Sequence, residues 1–171
     1  MQKSILFFSV LTIFVSGCGQ GGWHEYANDE GKYAILMPAE PTEYLHAANT
    51  AVGFVDEHGV FCRVGDFVTY GAIWSVYPES ANFKKNAHKH NDNARDRMIS
   101  NMNGRLLNDR WFMYGGFPAR DIELEVPHGK IYMKIYAIKQ RLYQLYVIIL
   151  REQTTILDAD KYFESFRLLQ M

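Results

Sequence analysis

The chain has 171 residues, of which 48% are hydrophobic and 15% are aromatic. That length suits one domain, and the high aromatic content with only 22% charged residues excludes an intrinsically disordered chain. The 18 Lys and Arg residues nearly balance the 19 Asp and Glu residues, so charge gives no reason to expect a nucleic acid partner.

The first residues predict an export signal. Lys3 lies in a short polar start, and residues 5–15 form an apolar run that only Ser9 and Thr12 interrupt. This run is shorter than the roughly 20 residues that a transmembrane helix needs, and it suits the hydrophobic region of a secretory signal peptide. It ends in Val15-Ser16-Gly17-Cys18, which resembles a bacterial lipobox.

We therefore expect residues 1–17 to be a lipoprotein signal peptide and Cys18 to carry the lipid, with residues 18–22 as a Gly-rich tether. Two or more acyl chains would anchor the protein to a membrane of the cell envelope, facing the periplasm or the exterior. By resemblance to enterobacterial sorting, Gly19 in place of Asp favours the outer membrane in a Gram-negative host. The alternative is an ordinary secretory signal or an uncleaved anchor, in which Cys18 has no such role.

Residues 23–171 are predicted to form one globular domain. Residues 33–37 and 41–46 indicate two strands, and Asp56-Glu57-His58-Gly59 is a turn signal before a strand at residues 60–64. A longer strand follows at residues 67–77. Cys62, the only cysteine besides Cys18, is predicted to be a small buried hydrophobic residue.

The main helix is predicted at residues 81–102, with Ser80 as its N-cap and Asn103-Gly104 as its stop. Its apolar residues are spaced to form one narrow stripe, which indicates one face packed on a sheet and a wide solvated face. The stripe comprises Phe83, Ala87, Ala94, Met98 and Met102.

Three strands in series are predicted at residues 105–114, 117–126 and 131–138. Pairing Val126 with Ile131 would place Leu124 beside Met133 and Glu123 opposite Lys134, so apolar and charge matches favour the same hairpin register. A strand at residues 141–151 is apolar on both faces, which indicates a central position without deciding which face points where. A last helix, capped by Thr154 or Thr155, completes an α+β domain in which helices flank an antiparallel sheet.

Four motifs carry a family resemblance: Gly31-Lys-Tyr-Ala-Ile-Leu-Met-Pro38, Gly116-Phe-Pro-Ala-Arg120, Arg141-Leu-Tyr-Gln-Leu-Tyr-Val147 and Tyr162-Phe-Glu-Ser-Phe-Arg167. Together they resemble the Mog1/PsbP-like group, particularly its small bacterial lipoproteins. The resemblance implies an α/β/α sandwich around an antiparallel sheet. Because members of the group are adaptors and accessory proteins and the motifs are structural, it implies no catalytic residue for this chain.

Strand aromatics supply the candidate binding surface: Tyr132 and Tyr136, which share a strand face with Lys134, together with Trp74 and Trp111. A Tyr-Lys-Tyr strip can bind a partner or an amphipathic ligand, although helix packing can also cover it. His88 and His90 diverge at i, i+2 and are predicted on a solvated helix face. We expect no metal and no cofactor, because no ligand or nucleotide-binding motif occurs.

The sequence thus predicts a non-enzymatic envelope lipoprotein that binds a protein or peptide and is attached to the membrane by lipid. One alternative is a carrier of a small apolar ligand, which requires a cavity between sheet and helix near Trp74, Trp111 or Tyr143. Another is a hydrolase without a recognisable motif, which requires a nucleophile, a base and an orienting group within hydrogen-bond reach.

Overall fold

The computed structural model describes residues 22–50, 52–150 and 158–170. The signal peptide and the lipobox (Val15, Ser16, Gly17 and Cys18) lie outside these residues, as do Thr154 and Thr155. Within them, the elements in chain order are β1 (His24–Asn28), β2 (Tyr33–Met37), β3 (Thr42–Thr50), β4 (Gly53–Val64), β5 (Val68–Val76), a 3-10 helix (Glu79–Ala81), α1 (Ala87–Asn101), β6 (Arg105–Tyr114), β7 (Phe117–Val126), β8 (Gly129–Ile138), β9 (Arg141–Ile149), α2 (Ala159–Glu164) and β10 (Arg167–Leu168). None of the described helices is long and apolar enough to cross a bilayer.

Seven strands form one antiparallel sheet in the order β3-β4-β5-β9-β8-β7-β6, so β9 is central, as its two apolar faces predict. Helix α1 packs on β7 and β8. The opposite face of the sheet is covered by α2 and by a small sheet of order β1-β2-β10. The predicted α+β architecture is confirmed, whereas β1, β10 and the small sheet they form with β2 were not expected from the sequence.

The core has one layer on each face of the large sheet. The layer under α1 is mainly aliphatic and includes Ile122, Leu124, Ile131, Met133 and Leu142. The opposite layer is rich in tyrosine, and two buried hydroxyls there donate to backbone carbonyls: Tyr143 to Gly31 at 2.8 Å and Tyr162 to Gly71 at 2.6 Å. Cys62 is buried in this second layer, as predicted, and burial raises the pKa of its thiol.

The two-residue turn between β8 and β9 determines which side chains of β9 point toward α1, which the sequence left undecided. Ile138 pairs with Arg141, so only Lys139 and Gln140 lie between the strands. As a result, Leu142 points toward α1 and Tyr143 points toward the small sheet.

The predicted turn at Asp56-Glu57-His58-Gly59 is wrong, because all four residues lie within β4. The chain reverses earlier, where Thr50 pairs with Gly53. Gly59 is needed for a close approach, since a Cβ at this position would overlap the ring of Tyr44 on β3.

The main helix begins later than predicted. Ser80 lies inside the 3-10 helix and does not cap α1, which starts at Ala87. Asn82 adopts a positive φ of 47°, and this left-handed conformation separates the 3-10 helix from α1. Phe83, Ala87 and Ala94 from the predicted stripe are nevertheless buried.

The β7–β8 hairpin differs from the predicted register by two residues. Val126 pairs with Gly129 and Leu124 with Ile131, so that Glu123 lies opposite Tyr132 and Asp121 opposite Lys134. Gly129, at the end of this turn, allows β8 to approach β9 closely, because a Cβ there would overlap the carbonyl oxygen of Ile149. A shift of two keeps each side chain on its predicted face of the sheet.

Candidate functional site

Strand β6 exposes an unusual amount of apolar surface. It is one of the two edge strands of the large sheet and, among the described residues, pairs with β7 alone. Four of its large apolar side chains are exposed: Leu106 (38%), Leu107 (38%), Trp111 (39%) and Met113 (65%). Edge strands that combine unpaired backbone groups with exposed apolar side chains are sites where other chains dock.

The side of β6 that faces α1 is built around Trp111. The guanidinium carbon of Arg120, its partner on β7, lies 4.6 Å from the indole ring centroid. The His88 ring lies 4.4 Å away. The indole is therefore held in place by a cation–π contact and an aromatic neighbour, so little side-chain freedom remains to be lost on binding.

Beneath Trp111 lies a charge network. Arg120 is 4% exposed and pairs with Asp109 and Asp92, while Arg95 binds Asp109 at 2.9 Å. The hydrogen bond from Arg120 holds the pKa of Asp109 below its ordinary value, against the opposing effect of burial, and Arg95 adds to the lowering. The network joins α1 to β6 and β7 and so fixes the platform on which Trp111 rests.

The other side of β6 borders a groove of about 530 Å³ between the sheet and the start of α2. Tyr132 and Lys134 line it, together with Arg110 and Phe163. The Lys134 ammonium lies 5.2 Å from the centroid of the Phe163 ring, and Arg110 pairs with Asp121 at 2.7 Å. This groove thus offers aromatic rings and charges of both signs.

The structure does not bring the five predicted binding residues together on one surface. Tyr132 and Lys134 line the groove, whereas Trp111 lies on the opposite face of the sheet at the β6 edge. Tyr136 is 2% exposed and stacks on Phe166 with ring centroids 4.7 Å apart. Trp74 is 3% exposed and stacks on His58 at 4.2 Å. Tyr136 and Trp74 are therefore core residues, because the α2 side of the sheet covers them.

One histidine also departs from the sequence prediction. His90 is 5% exposed, stacked on Phe83 at 4.3 Å and beside Tyr77, rather than on a solvated face. Burial lowers the pKa of His90, and its hydrogen bond to the Ala81 backbone only partly opposes this effect. His88 is exposed, as predicted. Across the described residues, no group of three or more His, Cys, Asp or Glu side chains is arranged to hold a metal ion.

A buried carboxylate escaped the sequence analysis. Glu57 is 8% exposed and pairs with Arg97 of α1, beside a cleft of about 380 Å³ that Tyr77 and His90 help to line. It was missed because residues 56–59 were predicted to be an exposed turn. A strand assignment would have placed Glu57 on the buried face with Val55, since side chains two residues apart share a face.

Comparison with known proteins supports the fold assignment. No protein-family model matches this chain, and no curated protein is significantly similar to it. Among solved structures, it is similar to cyanobacterial PsbP (CyanoP) from Synechocystis sp. PCC 6803, with a TM-score of 0.55 and 13% sequence identity. The similarity covers 89% of this chain and 95% of that one. This chain therefore has a PsbP-like α+β fold, in agreement with the resemblance drawn from its motifs.

Proposed function

We propose that this protein is a non-catalytic accessory module of the cell envelope that binds an extended segment of a partner protein or peptide along β6. Cys18 would carry the lipid anchor, and the domain would face the periplasm or the exterior, at the outer membrane in a Gram-negative host. The fold supports this proposal, since it resembles that of an accessory-type group. The main observation behind the proposal is the exposed edge of β6.

A strand added to β6 would use the open backbone edge for affinity and the two faces of β6 for selectivity. The side chains of the added strand would alternate between the two faces of the sheet. One set would contact Trp111 and Met113 on the α1 side, and the other would contact Arg110 on the groove side. The apolar exposure of Trp111 and Met113 favours apolar partner side chains on the α1 side. The mixed charges of the groove favour polar ones on the other.

The opposite edge of the sheet provides an internal comparison. Strand β3 is also an edge strand, but Leu45 is its one large apolar side chain that is exposed, at 64%. Because neither edge pairs with a further strand among the residues that the structure describes, the number of exposed apolar side chains is what distinguishes β6. Leu45 is therefore the matched control position for Met113.

The structure offers less support for a carrier of a small apolar ligand. Such a carrier needs space beside Trp74, Trp111 or Tyr143. Tyr143 is 1% exposed and packs against Tyr33 and Phe166 with ring centroids 5.9 and 5.5 Å away. Trp74 stacks on His58, and Trp111 packs against Arg120 and His88. A cleft of about 490 Å³ does border Trp74 and His58, but it is open to solvent and is also lined by Glu30 and Asp56, which does not suit an enclosed site for an apolar ligand.

The test is photo-crosslinking in the intact envelope, with a photoreactive amino acid replacing either Met113 or Leu45. We expect an adduct of defined mass from position 113 and none from position 45.

Trp111→Ala should weaken the partner's binding by about 2 kcal/mol, or about 30-fold, as expected for a buried aromatic anchor. Equal adducts at both positions, or an adduct at 113 that Trp111→Ala leaves unchanged, would contradict binding along β6.

A further inference from the structure

One end of the domain, which we call the tether pole, lies where the described chain begins. It comprises Trp23, the β4–β5 turn at residues 64–68, Leu150 and Lys161. The Lys161 ammonium lies 4.7 Å from the Trp23 ring centroid, and Trp23 packs edge-on against Tyr70 at 5.9 Å. The Leu150 N–H donates to the Phe67 carbonyl at 2.9 Å, which joins the turn to the end of β9.

The short segment between Cys18 and Trp23 limits the distance between the tether pole and a membrane in which the lipid on Cys18 is inserted. An extended chain spans at most about 3.6 Å per residue, so the five steps from Cys18 to Trp23 reach about 18 Å. We propose that the tether pole rests on the lipid interface of that membrane, with the opposite pole directed away from it. This inference rests on the lipid anchor of the proposed function.

The side chains at the tether pole suit a lipid interface. Val64, Phe67 and Leu150 are exposed to 42%, 39% and 46%. The half-buried Trp23 indole lies beside the Lys161 ammonium, and tryptophan and lysine are the residues that commonly occupy the headgroup region of a bilayer. The pole therefore presents apolar side chains outward, with an amphipathic pair at their border.

Charge does not drive this contact. Among the described residues, exposed cations and anions are mixed at this end of the domain: Arg63, Arg105 and Lys161 lie there with Glu40, Asp66, Asp158 and Asp160. Docking should therefore occur on zwitterionic lipid, and high salt should not release it, because salt screens charge pairs and leaves apolar burial intact.

The orientation has a consequence for β6. This strand starts at Arg105, near the tether pole, and ends at Tyr114 at the other pole. Ten residues of strand span about 33 Å. Met113 would consequently project into the aqueous space, away from the bilayer, where a partner could reach it.

The experiment uses the full, acylated protein in phosphatidylcholine vesicles, with Cys62→Ser so that one introduced thiol carries a nitroxide spin label. The label is placed by Asp66→Cys at the tether pole or by Gln140→Cys in the β8–β9 turn at the opposite pole. We expect the label at 66 to collide more with lipid-dissolved oxygen than with an aqueous nickel chelate, and the label at 140 to show the reverse. Val64→Glu should reduce the oxygen preference at 66, whereas Phe54→Glu, near the opposite pole, should not.

The possible outcomes distinguish a wrong orientation from a wrong assignment of the lipid anchor. Equally aqueous labels at 66 and 140 in protein whose Cys18 is acylated would overturn the orientation and leave the proposed function standing. Protein without a fatty acid on Cys18 would contradict the proposed anchor and the orientation together. An oxygen preference at 66 that disappears at high salt would overturn apolar docking.

Discussion

At the residue scale, Arg120 is the side chain that holds Trp111 and the neighbouring part of β6 in position. It is nearly fully buried, and its charge is compensated by Asp109 and Asp92. The sequence does not reveal this network, because its residues are far apart in the chain and only the pairing of β6 with β7 and the packing of α1 bring them together. By contrast, the burial of Cys62 could be predicted, since it depends on its strand neighbours alone.

Arg120→Met should destabilise the domain by about 2 kcal/mol, because it removes a buried guanidinium and leaves the partly exposed carboxylate of Asp109 without its main partner. Urea denaturation measures the change. The control is Arg105→Met, which removes an exposed pair with Glu125 and should change stability by less than about 1 kcal/mol. Equal effects of the two substitutions would show that the Arg120 network is not a stabilising feature.

Asp109 should also make stability depend on pH. Because the pKa of Asp109 is lower in the folded state, its contribution is fully present above the unfolded value of about 3.9. That contribution is lost as the pH falls through the lower folded pKa. Asp109→Asn should remove this part of the acid dependence in urea denaturation between pH 7 and pH 2, and an unchanged acid profile would contradict the assignment.

His90 predicts a second pH effect in a different range. Its folded pKa is lowered by burial, so the unfolded chain takes up the proton first. The stability that the neutral ring contributes is present above about pH 6.5 and is lost as the pH falls toward the folded pKa. His90→Phe keeps an aromatic ring beside Phe83, so its Tm should fall less than that of the unchanged protein between pH 7 and pH 5. Equal falls would mean that His90 does not titrate in this way.

At the element scale, the sequence predicts which strands exist more reliably than where they pair. The alternation in residues 117–126 and 131–138 identified both strands and both faces, but a register shifted by two residues satisfies the same alternation. The observed register also brings Gly129 against the backbone of Ile149 on β9, a contact that no local pattern contains. Similarly, Gly59 resembles a turn residue in the sequence, and only the ring of Tyr44 on the neighbouring strand explains its place within β4.

Gly129→Ala tests the register argument. The added methyl group would collide with the backbone of Ile149, so the β8–β9 pairing has to shift, and we expect a loss of about 2 to 3 kcal/mol in urea denaturation. Gly104→Ala is the matched control, because its nearest neighbouring atom would lie at an ordinary contact distance of 3.4 Å. A Gly129→Ala protein as stable as the control would contradict the close approach of Gly129 to β9.

At the scale of the whole molecule, the α+β class and the flanking helices follow from the sequence, and the similarity to cyanobacterial PsbP agrees with them. The candidate site follows only in part. Trp111, Tyr132 and Lys134 could be selected as strand aromatics and a neighbouring charge. Their separation onto two faces, and the burial of Trp74 and Tyr136, depend on strand order and on how α2 folds back over the sheet.

The proposed display of this PsbP-like domain on a membrane, through a lipid on Cys18, can be examined by mass spectrometry of the amino-terminal peptide of protein isolated from its native membrane. We expect the peptide to begin at Cys18 and to carry fatty acid, and we expect Cys18→Ser to abolish both the acylation and the membrane association. A peptide that begins at Met1, with an unmodified Cys18 and no fatty acid, would contradict this proposal.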